Sequence, residues 1–364
     1  MKVKLSEVSS GFTKNIAQKD LDNNNGCYPI YGASGYIKNI NFYISDKPYI
    51  GIVKDGSGVG RVNIYPAYSS LLGTMQYVVP NDNMDIAYLM YALRYMKLGS
   101  LYSGAAIPHI YYKNYQRNEL NYREKNEQKS ISTQLTQIEN AILVCNAKII
   151  ALDELVKSRF IEMFGHPDAN EKGWEKSKLE NFINVVGGYA FKSQKYLSKG
   201  IPVLRIGNIN AGYFRDTNLV FYQEDSALEK YKIYPNDLVI SLTGTAGKDD
   251  YGNICLMDST YGVYYLNQRN AKIEIKHNFN RFFLMYLFAH PEIKQRLTGK
   301  NHGIRQGNIL NKDILELDVY VPPIELQNEF ADFVKLIDKS KFIVQKQIDD
   351  LQELLDSKMD EYFG

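Results

Sequence analysis

The sequence predicts an α+β protein: two mixed α/β domains separated by two long antiparallel coiled-coil helices, the whole duplicated about a pseudo-twofold axis. Three observations predict this. A helical segment occurs twice at a constant spacing, both copies carry a heptad seam, and the rest of the chain is short β-forming runs broken by Gly turns.

The segment Gln128–Gly165 aligns without a gap on Gln327–Gly364, at a constant offset of 199 residues. Ile138 falls on Ile337, Ile149 on Ile348, Leu152 on Leu351, Glu154-Leu155 on Glu353-Leu354, Ser158 on Ser357 and Phe164-Gly165 on Phe363-Gly364. Solenoid repeats run to roughly 20–50 residues, so a period this long marks a duplicated module: globular part, helix, globular part, helix.

In the first copy the apolar positions Ile131, Leu135, Ile138, Ile142, Cys145, Ile149, Leu152 and Val156 step by four and three, the a/d pattern of a coiled coil. In the second copy Phe330, Val334, Ile337, Val344, Ile348, Leu351 and Leu355 keep the register, and Lys341 interrupts it where the first copy has Ile142. A seam this narrow suits one partner helix, and the simplest partner for each helix is the other. At about 1.5 Å per residue each helix is close to 60 Å long, enough to hold two bodies apart at a fixed distance. Gly165 before His166-Pro167 is a helix stop, and Pro322-Pro323 forces an extended approach that leaves Glu325 in the first turn of the second helix. Arg123-Glu124 at the matching place predicts a less rigid approach to the first helix, and Gly364 closes the second as Gly165 closes the first.

The globular parts are rich in Tyr, Asn, Gly and Ile. Tyr28–Ile37 reads as strand, Gly-rich turn and strand, and Tyr49–Val53 with Arg61–Tyr65 as a hairpin whose tip is Lys54–Gly60. Ile201–Ile206 and Asp237–Leu242 read as strands, the latter running into the Gly turn Thr243–Lys248. Ile86–Lys97 and Arg281–Phe288 read as helices. No apolar run approaches the roughly 20 residues of a membrane span, and Met1-Lys2-Val3-Lys4 opens no signal peptide. Cys27, Cys145 and Cys255 are scattered as free thiols of a reducing compartment would be, which places the chain in the cytoplasm.

The formal net charge is +2, but it is unevenly spread. Residues 1–121 hold twelve basic and eight acidic side chains (net +4), 166–322 hold twenty and seventeen (net +3), and 323–364 hold five and ten (net −5). Mildly basic globular parts suit phosphate, and the acidic helix does not. Enzyme readings fail on spacing. Gly244-Thr245-Ala246-Gly247-Lys248 lacks the full phosphate-loop pattern and is followed by Asp249; Gly56, Gly58 and Gly60 alternate, unlike a dinucleotide loop; the five His show no metal-ligand spacing. No nuclease, methyltransferase or Ser–His–Asp set can be singled out. The sequence reads as a reader of something, with no metal and no catalytic residues of its own.

The chain resembles, over nearly its whole length, the DNA-specificity subunit of type I restriction–modification systems. The matching features are Tyr28–Tyr36, Gly200–Arg205, Asp237–Ser241, Thr243–Lys248, Asn267–Ala271, Val321–Gln327 opening a helix, and Gly173-Trp174 with Lys178-Leu179 at the start of a domain. A Gly-Trp start is missing before Val3-Lys4-Leu5, so the first domain is expected to begin internally or slightly trimmed.

The resemblance implies target-recognition domains at 1–121 and 166–322 and spacer helices at 122–165 and 323–364. It implies a non-catalytic subunit that reads a bipartite, asymmetric site on double-stranded DNA. Its partners would be two methyltransferase subunits and restriction/translocase subunits, with S-adenosylmethionine, ATP and magnesium on those partners and no cofactor on this chain. The rival is a coiled-coil scaffold whose Tyr-rich domains bind protein or glycan. Arg reads guanine bidentately and Asn or Gln reads adenine. Candidate DNA contacts on the expected loops are therefore Lys38, Lys54, Ser57 and Arg61 in the first domain, and Lys192, Arg205, Lys248, Gln268, Arg269, Arg305 and Gln306 in the second.

Overall fold

Both long helices form where the heptads place them, over Lys125–Phe164 and Ile324–Phe363. The structure, a computed structural model, describes residues 1–102, 108–210, 212–248, 250–299 and 306–364. It divides into two compact units, Met1–Lys148 with Val344–Gly364, and Ile149–Ile343, so each unit holds one globular part and about half of each helix.

In the first unit a four-stranded antiparallel sheet runs in the order Ser9–Phe12, Met75–Pro80, Tyr49–Val53, Val62–Tyr65. Every residue of Tyr49–Val53 is buried, as a central strand covered on both faces requires. Gly51 is needed there because a Cβ would lie 2.5 Å from the Tyr65 ring. A smaller sheet pairs Gly35–Ile40 with Tyr28–Gly32, which takes Ser70–Leu71 in parallel. Lys2–Lys4 pairs with Glu119–Asn121 beneath the first long helix.

The second unit repeats this plan. Its main sheet runs Ile183–Gly187, Asn270–Ile275, Leu238–Ser241, Ile254–Leu256, and Glu175–Lys178 pairs with Asp318–Val321. Its smaller sheet places Ile201–Leu204 between Val220–Tyr222 and a parallel Tyr264–Leu266, with Lys232–Ile233 added at the edge. The predicted strand through Ile206 stops at Leu204, because Ile206–Ile209 form one helical turn, with the Asn208 side chain accepting from Arg205 N at 3.0 Å. Ile86–Tyr95 and Arg281–Ala289 are the two short helices, each N-capped by a side chain, Asp85 on Tyr88 N and Asn280 on Phe282 N.

Each short helix is joined to its long helix by the same buried side chain. Gln128 accepts from Asp85 N at 2.7 Å and donates to the carbonyls of Asn83 (3.2 Å) and Arg123 (2.8 Å). Gln327 accepts from Asn280 N at 2.9 Å and donates to the carbonyls of Asn278 (3.1 Å) and Pro322 (2.8 Å). Both glutamines are fully buried.

The seam is real in both units. Ile131, Leu135, Val156, Phe330, Val334, Ile337 and Val344 are buried, and Ile138, Ile142, Cys145, Ile149, Leu152, Ile348, Leu351 and Leu355 are half-buried. In the second unit Arg159–Glu329 (3.1 Å) and Asp153–Lys341 (2.6 Å) tie the helices in antiparallel order. Lys341, the break in the heptads, thus spends its charge on Asp153. In the first unit Tyr362 donates to Gln134 at 2.8 Å, and Phe363 packs 5.0 Å from Tyr88. Gly165 takes φ +79°, the left-handed cap its place predicts.

One expectation is corrected. Among the described residues one helix, Lys125–Phe164, is long and apolar enough to cross a membrane, with an 18-residue window of mean hydropathy 1.3. The sequence reading missed it because the seam residues are joined by apolar residues outside the seam: Leu143, Val144 and Ile150 are 64–67% exposed.

Replacing Gln327 by Leu strands one N–H and two carbonyls in a buried site. Gln327→Leu and Gln128→Leu are each expected to cost about 2–4 kcal/mol in denaturant unfolding, and Gln134→Leu, exposed, within about 0.5 kcal/mol. An equal, small effect in all three would remove the clamp from the account.

Candidate nucleic-acid interface

The second unit gathers its candidates into two places. Arg205, Gln268 and Arg269 line one open groove of about 510 Å³, with Phe191, Tyr196, Asn208, Thr217, Asn218 and Asn267. Arg205 stands at the end of the buried strand Ile201–Leu204. Its guanidinium donates to the Asn218 carbonyl, and its Nε has no hydrogen-bond partner. Gln268 and Arg269 are exposed on the turn between Tyr264–Leu266 and Asn270–Ile275, a turn pinned by Gln268 N to the Tyr189 carbonyl (2.9 Å) and Arg269 N to Asn267 Oδ1 (3.2 Å). Lys192 is exposed next to Phe191.

The second place is a ribbon. Thr243–Thr245 pairs with Gln306–Asn308, and Thr245 faces Gln306. The Gly turn of the sequence reading is thus a strand followed by a turn; Lys248 is exposed on that turn, and Gln306 is exposed on the partner strand. Arg305 lies outside the described residues. In the first unit the isolated bridge Asp55–His109 occupies the equivalent position.

The first-unit candidates divide differently. Lys38 sits on the strand Gly35–Ile40, and its ammonium donates to the Leu21 carbonyl and Asn25 Oδ1, both at 2.9 Å. Lys54 is paired with Asp55 at 3.2 Å and lies 5.5 Å from the Tyr111 ring centroid. Ser57 and Arg61 are exposed. Tyr36, on the strand Gly35–Ile40, is 60% exposed, and Tyr68, just before the strand Ser70–Leu71, is 53% exposed.

Elsewhere the titratable groups are structural. Burial pushes the Cys255 thiol up to about 12, with Asp258 adding to it, so it stays protonated and unreactive. Burial likewise pushes Tyr77 up to about 12, and its hydroxyl accepts from Leu71 N at 2.6 Å.

Two sets of residues escaped the sequence reading. Arg215 lies 5.0 Å from the Tyr213 ring centroid and donates to its hydroxyl at 2.9 Å, and the adjacent Tyr-Phe-Arg was the available signal. His166, His290 and Glu292 come together although 124 residues of sequence separate the two His, so no spacing could show it.

The chain is a duplicated pair of mixed domains, each clamped to a long helix by a buried glutamine, with Arg61 exposed in the first unit and Lys192, Lys248, Gln268, Arg269 and Gln306 exposed in the second. Comparison with known proteins gives the family. The family described as "Type I restriction modification DNA specificity domain" matches residues 1–154 and 171–353, and the chain belongs to it. It is 25% identical over 344 residues to the specificity subunit of the type I restriction enzyme MjaVIII of Methanocaldococcus jannaschii, covering 88% of this chain and 80% of that one. It is 22% identical over 326 residues to the putative MjaX specificity subunit of the same organism, covering 81% and 72%. In fold it is similar to the S subunit of a type I system from M. genitalium, at TM-score 0.60 and 18% identity over 100% of this chain and 96% of that one. A second structure, titled for complex assembly and conformational transition of the type I R-M system, matches at TM-score 0.60 and 13% identity over 100% and 97%. Specificity subunits of these systems are non-catalytic DNA-binding chains, and so is this one.

An exposed, bidentate base contact differs from a phosphate contact in what its loss does. Arg269→Ala is expected to cost about 1–3 kcal/mol of DNA binding and to relax one position of the site. Lys248→Ala is expected to weaken all sequences alike and to lower the salt slope by about one. Binding titrations against a randomised duplex library at two salt concentrations distinguish the two.

Proposed function

We propose that the chain recognises a bipartite, asymmetric site on duplex DNA, residues 1–121 reading one half and 166–322 the other. The observation that carries this reading is the recurrence of one strand order and one glutamine clamp in both units. Two domains presented alike, with different side chains on their tips, suit two different half-sites. The groove around Arg205, Gln268 and Arg269, the ribbon with Lys248 and Gln306, and Arg305, which lies outside the described residues, are the proposed contacts of the second domain. Lys38, Lys54, Ser57 and Arg61, with Lys192 in the second domain, are the others. Residues 122–165 and 323–364 act as the spacer that fixes the gap. This work belongs in the cytoplasm, where DNA is accessible.

The same reading assigns the helices a second task. Leu143-Val144 and Phe342-Ile343 occupy equivalent repeat positions just outside the seam, and all four are 51–72% exposed. Leu155 and Leu354, equivalent as well, are 47% and 43% exposed. Exposed apolar residues repeated in this way suit two copies of one partner. The partners proposed are two methyltransferase subunits using S-adenosylmethionine, and through them ATP- and magnesium-dependent restriction/translocase subunits.

Two measurements test this. Removing one heptad from each long helix shortens each by about 10 Å, or roughly three base pairs, and is expected to narrow the gap by that amount with both half-sites unchanged. Methylated-adenine mapping reads the result, and an unchanged gap removes the spacer role. Phe342→Asp with Ile343→Asp is expected to reduce methyltransferase subunits from two to one per chain by native mass measurement. Retention of two would refute docking at these residues.

A further inference from the structure

We propose that the second unit holds a structural divalent-cation site, with Zn²⁺ as its ion, formed by His166, His290 and Glu292. The three contribute one ligand atom each, and these atoms all lie within 4.8 Å of one another. His290 Nδ1 and Glu292 Oε2 face each other at 3.8 Å. Both atoms are buried, and neither has a hydrogen-bond partner. At that separation they do not bond each other, and each needs a cation or a proton between them. Tetrahedral zinc with ligands at about 2.0–2.1 Å sets neighbouring ligands about 3.3 Å apart, so small side-chain adjustments bring all three to the ion, with the fourth position left to water. Two imidazoles and one carboxylate select a late first-row ion over magnesium or calcium.

The location gives the site a purpose. His166 directly follows Gly165, the cap of the first long helix, and His290 and Glu292 form the elbow between Arg281–Ala289 and Pro291–Thr298. An ion there staples the end of a long helix to the recognition domain of its own unit. In the first unit the position aligned with His290, at an offset of 195, is Tyr95, whose ring lies 6.1 Å from that of Phe363 at the end of the other long helix. The residue at this place thus meets a helix end in both units, through aromatic packing in the first and through the proposed metal site in the second.

The full-length chain, stripped with a chelator, is titrated with Co²⁺ and then Zn²⁺ against a chromophoric competitor. One Co²⁺ per chain is expected, with a visible d–d absorption that Zn²⁺ abolishes. His290→Ala and, separately, His166→Gln are expected to weaken binding at least tenfold, and His277→Ala, outside the cluster, to leave it unchanged. His166 is exposed, so His166→Gln keeps the test intact if His290→Ala fails to fold. Binding absent from the wild-type chain, or unchanged in both cluster variants, overturns the site.

Discussion

One buried side chain per unit fixes how each domain is carried. A glutamine in the first turns of a long helix bonds a backbone N–H that starts a short domain helix, a carbonyl just before that helix, and a carbonyl just before the long helix itself. Three backbone groups that would otherwise be stranded in an apolar site are satisfied at once. The side chain has no freedom left, so the domain's angle on its helix is set by hydrogen-bond geometry. Packing then reinforces it: Phe160 and Phe164 close on both Phe283 and Phe330 in the second unit, and Phe363 closes on Tyr88 in the first. Aromatic packing alone tolerates sliding, and the three-way bond does not.

The seam follows a similar division. Ile131, Leu135, Val156, Phe330 and Val334 are buried in the domain cores, whereas Ile142, Cys145, Ile149 and Ile348, nearer the middle, are half-exposed. Lys341 with Asp153 costs some apolar burial, and in return it marks the register. A slip of one heptad would leave a partly buried ammonium without its carboxylate. The apolar residues outside the seam have no such explanation within either unit. They make one long helix apolar enough to resemble a membrane span, and the partner surface proposed above would account for them.

The helices were legible because their information is periodic. Two copies of a 4–3 spacing and a Gly165 cap can be read without knowing any contact. The main strands were legible for the same reason, as buried runs such as Tyr49–Val53 bounded by turns. The site was less so. Lys38 carries the right charge on an apparent loop, but a strand presents it to Leu21 and Asn25, a choice made by pairing 13 and 17 residues away. Thr243–Lys248 read as a Gly turn, and its first half became a strand only by pairing with Gln306–Asn308, far along the chain. His166 and His290 met only through the fold. The glutamine clamp lay in the repeat as its first aligned residue, but its three partners are tertiary and left no local mark.

Comparing the units with each other separates what the duplication kept from what it let drift. The main sheet and the pairing of the first strand with the one before the long helix recur in the same order, the capped short helix at an offset of 195 residues and the glutamine at 199. The smaller sheet has three strands in one unit and four in the other, and a single bridge at Asp55–His109 stands where the other unit has a two-stranded ribbon. Divergence therefore concentrates in the tips that carry Arg61, Arg269 and Gln306, and identity in the parts that orient those tips. A protein selected to read one sequence twice would have kept its tips alike. One selected only for its helices would have no reason to keep the clamp that aims them. Retained aim with altered tips is the pattern that two different half-sites, read in a fixed geometry, would produce.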